Sequence, residues 1–367
     1  MGEIMKIKDL IRIFILLQIF FVLITGTAFA LDIEASLEDP PVYFIYSVDD
    51  LRAIEYNSDI LAGFLLMNDI EITDETWNPI GSTNRPFKGI FYGNNHTITF
   101  TKDTELSQPI GYENSGSGLF GNIYSGKIYD LTVVLNGNLS SDSANVGSLV
   151  GIMNGNSSSL NYTSSIVNCT VLSNGYRISG AGNTGGLVGS VINGSVESSF
   201  SDCSVLSEGN NSGGLIGYVF NGTFNNSSAT GSINSKGNNA GGFIGLMRMG
   251  SISNSSATGS VEAIGYAGAF AGYISDETTI SNSFANGVVK PKGAFGDFIG
   301  GWAEDYKPTV ADCFYQETEV DLEPVPPVSD VEVYYKNYTL FYALFICLAV
   351  IILLFAIAAV FYLKKRN

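Results

Sequence analysis

Histidine is almost absent: His96 is the only one in 367 residues, and the four cysteines, Cys169, Cys203, Cys313 and Cys347, form no close cluster. A zinc site draws several imidazoles and thiolates together. A histidine base needs a nucleophile and an orienting group beside it. His96 has no second histidine to work with and follows Gly93-Asn94-Asn95, so it reads as a structural turn residue. No H-E-x-x-H and no G-G-x-G-x-D calcium repeat occurs. Basic residues are scarce as well, with 33 acidic against 12 basic residues over Leu31–Thr339. That balance argues against nucleic acid or anionic lipid as a partner and for a solvated outer surface. The acids themselves are dispersed. Between Gly116 and Gly301 they share no repeat position, Asp276-Glu277 reads as a solvated loop, and a carboxylate pair for glycoside cleavage is not expected. No catalytic residue, cofactor or metal ligand is therefore assigned, and the chain is read as a non-enzyme.

What the chain has instead is glycine in a recurring phrase. GLFG (118–121), GSLVG (147–151), GGLVG (185–189), GGLIG (213–217), GGFIG (241–245), GAFAG (268–272) and GDFIG (296–300) close on glycines 30, 38, 28, 28, 27 and 28 residues apart. A fixed period in the twenties marks a solenoid, whose coils bury their apolar side only against the next coil. Other positions keep their chemistry at the same period. Val196, Phe224, Ile252 and Ile280 form one apolar column; Ser198, Asn226, Asn254 and Asn282 form a polar one, read as an internal hydrogen-bonded ladder. Ala229, Ala257 and Ala285 follow, and then Val171, Val205, Ile233, Val261 and Val289. Two or three short strands per coil, turned by Gly, Asn and Ser, would use 28 residues. The expectation is an all-β right-handed parallel β-helix of about 28 residues per coil, with about ten coils stacked ~4.8 Å apart. SVDDLRAIEYN, from Ser47, carries a capping-box pattern and helical apolar spacing, which predicts a short helix capping the N-terminal end.

The ends carry targeting signals. Residues 1–30 combine Lys6, Lys8 and Arg12 with an apolar run and Ala28-Phe29-Ala30, a secretory signal peptide. Residues 31–316 form the extracellular β-helix, and 317–339 an acidic stalk with three prolines. Residues 340–363 are uncharged and long enough to span a bilayer as a transmembrane helix, followed by a cationic tail at 364–367. The protein is expected in the cell membrane as a single-pass protein, with an extracellular ectodomain and a cytoplasmic C-terminus.

The phrases GGLVG, GGLIG and GGFIG, followed by SISNSSATGSV, resemble the GLUG repeat, named for Gly-Leu-hydrophobic-Gly, across about residues 116–301. The preceding SVDDL, NDIEI, WNPIGS and FKGIFYGNNHTI resemble the segment that usually precedes such repeats in bacterial and archaeal surface proteins. The resemblance implies a β-helical, adhesin-like cell-surface protein with no shared catalytic residues. Some bacterial immunoglobulin A metallopeptidases carry such repeats beside a zinc protease domain, and this chain lacks that domain's motif.

Two modifications are open on the residues alone. Aligning Cys169-Thr-Val-Leu-Ser with Cys203-Ser-Val-Leu-Ser sets Cys169 beside Cys203 on neighbouring coils, either as a disulfide or as stacked free thiols. Asn138, Asn156, Asn161, Asn193, Asn221 and Asn337 head sequons that would make a glycoprotein, although a Ser- and Asn-rich chain forms such triplets by chance. Asn226 and Asn254 also head sequons, but belong to the column read as an internal ladder, where no glycan could attach. The extra ten residues of the 38-residue step, around Asn154–Ser164, read as a protruding loop, where a solenoid can hold binding specificity or simply carry an inert surface segment. The functional expectation is adhesion to, or binding of, an envelope or extracellular glycan or protein. The alternatives are a structural envelope spacer and a carbohydrate-active β-helix enzyme.

Overall fold

The computed structural model describes residues 40–57, 61–107, 116–156 and 163–316. Its strands pair only in parallel, each with its equivalent one coil away, in a β-solenoid of the right-handed type. A regular coil has five short strands rather than the two or three expected. One coil runs Gly250–Ser253, Ser256–Ala257, Val261–Ala263, Tyr266–Gly268 and Ala271–Ile274, and these define the first to fifth faces. Strands of two to four residues suffice because every bond of the ladder is made to the coil above or below. The second, third and fourth faces are sheets of nine, eight and seven strands. The first and fifth merge into one fifteen-stranded sheet, because Val188–Glu197 and Ile216–Asn225 run unbroken across both.

The apolar columns read from the sequence point inward. Phe64, Phe91, Ile128, Ile166, Val196, Phe224, Ile252 and Ile280 stack in register on the first face and are all buried. Tyr43 and Val310 continue that column at its two ends and are exposed, having a coil on one side only. Each inner rung side chain contributes about 1.5–3 kcal/mol of hydrophobic burial. The predicted N-terminal helix is present as α1, Val48–Asn57. Ser47 and Asp50 cap it reciprocally, with the Asp50 N–H on Ser47 Oγ at 3.2 Å and the Ser47 N–H on Asp50 Oδ2 at 3.0 Å. The helix turns Leu51 and Ile54 into the core.

The glycine phrase marks the corner between the fourth and fifth faces. A Cβ on Gly241 would strike the Ile244 carbonyl, and one on Gly245 would strike the Ser212 N–H of the preceding coil, so the backbone crosses there with no room for side chains. The residue between them fills the interior: Leu187, Leu215, Phe243 and Phe270 form one buried column.

At another corner the backbone turns left-handed in eight successive coils. Asn95, Asp130, Asn168, Ser198, Asn226, Asn254, Asn282 and Asp312 all have φ between 47° and 59°. Asn and Asp accept that region at least cost among residues bearing a Cβ. This corrects the internal placement of Asn226, Asn254 and Asn282, whose side chains are exposed at an outer edge; the column does hydrogen-bond to itself there, Asn226 Nδ2 to Ser198 Oγ at 3.1 Å and Asn282 Nδ2 to Asn254 Oδ1 at 3.4 Å. The half-buried asparagine ladder is a different one, Asn145, Asn183, Asn211 and Asn239, bonded amide to carbonyl at 2.8, 2.6 and 2.7 Å.

The segments expected to be the signal peptide, stalk, transmembrane helix and tail lie outside the described residues. Among the described residues, no helix is long and apolar enough to cross a membrane.

Candidate functional site

The two cysteines of the expected pair do not meet. Thr170 pairs with Phe200, which sets Cys169 beside Ser199, while Ile178 pairs with Val205, which sets Cys203 beside Tyr176 on the third face. The two segments look alike, but the turn through Asn174 and Gly175 makes the earlier corner three residues longer, so Val171 falls opposite Ser201 and leaves the Val205 column. Both thiols are free and buried, and Cys313 is also free. Burial pushes the Cys169 and Cys203 thiols up from the usual value near 9 to about 12. Cys169 heads a column of serines: the N–H of Cys169, Ser199, Ser227 and Ser255 each donates to the hydroxyl of the next coil at 3.1–3.3 Å. Cys313 closes the same column at its far end, against Ser283.

Several sequon asparagines serve the fold. Asn221 Nδ2 donates to Asn193 Oδ1 at 2.9 Å, and both residues are left-handed where the fifth face passes into the first. Asn138 Nδ2 donates to Asp103 at 3.2 Å, and its Oδ1 accepts the Arg177 N–H. Asn156 is half-buried and engaged. Asn161 and Asn337 lie outside the described residues. The insertion is shorter than read: Met153 pairs with Val191 and Ser164 with Gly194, so ten residues stand where the next coil uses two. The remaining length is taken up elsewhere in that coil, including the corner at Asn174. Residues 157–162 of this loop lie outside the described residues.

His96 holds its turn, with its N–H on the Gly93 carbonyl at 2.8 Å and Nδ1 3.1 Å from Asp69. The Thr97 N–H, first, and His96 hold the Asp69 carboxyl below its usual range. Three acids of the repeat region sit beside cations: Glu208 with Lys236, Glu262 with Lys292, and Asp276 with Arg248 at 3.1 Å. Among the described residues, no group of three or more His, Cys, Asp or Glu converges on a metal position.

Among the described residues, an open groove of about 570 Å³ lies on the fifth face. Tyr273 points outward from Ala271–Ile274, with Leu246 one coil before it and Gly301 one coil after. Tyr266, from the fourth face, leans over this column, its ring centroid 4.7 Å from that of Tyr273. Arg248 forms the far wall, fixed by Asp276 and by the Phe220 ring 5.5 Å away. Asp276 and then Tyr218 raise the guanidinium pKa further, so Arg248 is a permanent cation. Asn238 and Asn239 complete the lining. Sequence reasoning missed this site and took Asp276 for plain loop. A signal existed, because the residue directly after the closing glycine forms a column of its own, Asn122, Ile152, Ser190, Tyr218, Leu246, Tyr273 and Gly301, buried at Asn122 and Ser190 and half-buried from Tyr218 onward.

The family model for the GLUG motif matches residues 236–262, the coil that supplies Asn238, Asn239 and Arg248. The sequence matches none of the curated proteins searched. Among solved structures, the fold is similar to that of a Bacteroides ovatus protein described as a candidate immunoglobulin A1 protease, with a TM-score of 0.57 and 21% identity, over 74% of this chain and 85% of the other. At that identity the likeness is one of fold.

Proposed function

We propose that this GLUG-repeat solenoid is a membrane-anchored cell-surface protein that binds an extracellular glycan or an envelope component. The observation that carries the reading is the groove on the fifth face: tyrosine rings and fixed polar groups set on strands that cannot move independently of the stack. A rigid scaffold presenting such groups binds without paying to order them. The signal and membrane segments of the sequence supply the address and anchor. Glu208, Asp276 and Glu262 are each engaged by a cation, which favours a structural role over an acid/base role for these three carboxylates.

Two measurements test this. Protease treatment of intact cells making the full chain is expected to cleave the repeat region, and protection of it would contradict surface display. The purified full chain is expected to bind saturably to a glycan array or to isolated envelopes without releasing sugar. No binding to either would favour a structural spacer, and sugar release an enzyme.

A further inference from the structure

We infer that the groove between Tyr266, Tyr273 and Arg248 is a subsite for one or two pyranose units of a neutral glycan, an inference that rests on the binding reading above and names its ligand.

Three features converge on that chemistry. The first is an aromatic platform made by a missing side chain. Gly301 occupies the rung after Tyr273, and a Cβ there would stand 2.6 Å from Tyr266 Cδ1 and 3.3 Å from Tyr273 Cδ2. The glycine lets the Tyr266 ring lie over the column while remaining 39% exposed. The C–H face of a pyranose is apolar and flat, and a tyrosine ring beside polar groups is the surface that accepts it.

The second is a pair of interrupted ladders. Asn239 Nδ2 donates to Asn211 at 2.7 Å, and Asn238 Nδ2 to Asn210 at 3.2 Å. In the following coil Tyr266 stands opposite Asn239, and Gly265 opposite Asn238. Neither carries an amide to continue the run, so both ladders present their last carbonyl oxygen at the groove. Those oxygens are acceptors, suited to sugar hydroxyl donors.

The third is charge. Arg248 is the only cation lining the groove and Asp276 compensates it at 3.1 Å, so the pair offers donors and an acceptor with no net charge. A uronate or sialylated chain would meet two asparagine carbonyls, a carboxylate and a chain of net charge −17. A neutral glycan meets none of that repulsion.

The test is binding of the purified full chain to immobilised glucose, mannose and galactose hexasaccharides and to hexagalacturonate, with Tyr266→Ala and Gly301→Leu beside the wild type. At least one neutral hexamer is expected to bind at least tenfold more tightly than hexagalacturonate. Each variant, with an unchanged circular dichroism spectrum, is expected to lose at least tenfold. Leucine at 301 displaces the Tyr266 ring by direct contact, whereas alanine at 266 removes the ring, so the two variants remove the platform by different local changes. Wild-type affinity in both variants overturns the site and leaves the binding reading standing, while preference for hexagalacturonate overturns the neutral class. Failure of the wild type to bind any of these sugars or isolated envelopes overturns the binding reading and the inference with it.

Discussion

The Phe270 ring lies face to face with Phe243, centroids 4.9 Å apart and planes 8° apart, and Phe298 continues the stack at 4.7 Å and 7°. The separation is the rung spacing of the solenoid itself, so these rings stack because the coils do. In the earlier coils Leu187 and Leu215 fill the same column.

Phe270→Ala is expected to destabilise the solenoid by about 3–5 kcal/mol, since it opens a cavity with stacked rings on both sides. Phe270→Leu restores a side chain the column already uses and should cost less than about 1.5 kcal/mol. Denaturant midpoints of the two variants measure the contrast, and equal losses would show that refilling the column with an aliphatic side chain recovers nothing, so that the ring stack itself carries the stability.

Asn211 donates to Asn183 and accepts from Asn239, so Asn211→Ala removes two bonds and strands an amide. The expected cost is about 1–3 kcal/mol. Asn254→Asp, which keeps a residue that accepts the left-handed corner and loses only exposed bonds, should cost less, and the same denaturation assay separates the half-buried ladder from the outer one.

The cysteines give the stability a basic limb. In the unfolded chain thiols ionise near 9, whereas burial holds Cys169 and Cys203 protonated to about 12. Their contribution is therefore complete below pH 9 and is lost as pH rises from 9 toward 12, on the order of 1 kcal/mol per pH unit per thiol. Unfolding free energies between pH 8 and 11 for the wild type and for Cys169→Ser/Cys203→Ala should diverge, with the variant flatter. Cys313 is half-buried, and a thiol reagent at pH 8 should label it before Cys169 and Cys203, which react only on unfolding.

Thr278 interrupts an inward column of glycines, Gly194, Gly222 and Gly250, and its hydroxyl is buried without a hydrogen-bond partner. Thr278→Val keeps the shape and removes the unpaired group, with an expected gain of about 1 kcal/mol. A lowered denaturant midpoint would contradict this.

Much of the interior was legible before any coordinates. The columns of Val196 and Ala229, the capping of α1 by Ser47 and Asp50, and the glycine phrase all stand where the period put them. What misled was similarity of short segments: Cys169-Thr-Val-Leu matches Cys203-Ser-Val-Leu by eye, yet a three-residue difference in one corner moves the second segment to another face. Asn226 was misplaced for a related reason. A repeating asparagine shows that the position matters in every coil, but not whether it faces the core or a left-handed corner in solvent.

The sequence by itself determined the stack, because a repeat of about 28 residues dictates which side chain lies over which, and inward positions must be apolar in coil after coil. Only the tertiary structure decided the groove. Its parts come from different faces and different coils: Tyr266 from the fourth, Tyr273 from the fifth, Asn238 and Asn239 one coil earlier and Gly301 one coil later. Contacts between faces depend on the angle and length of each corner, and the period leaves both free.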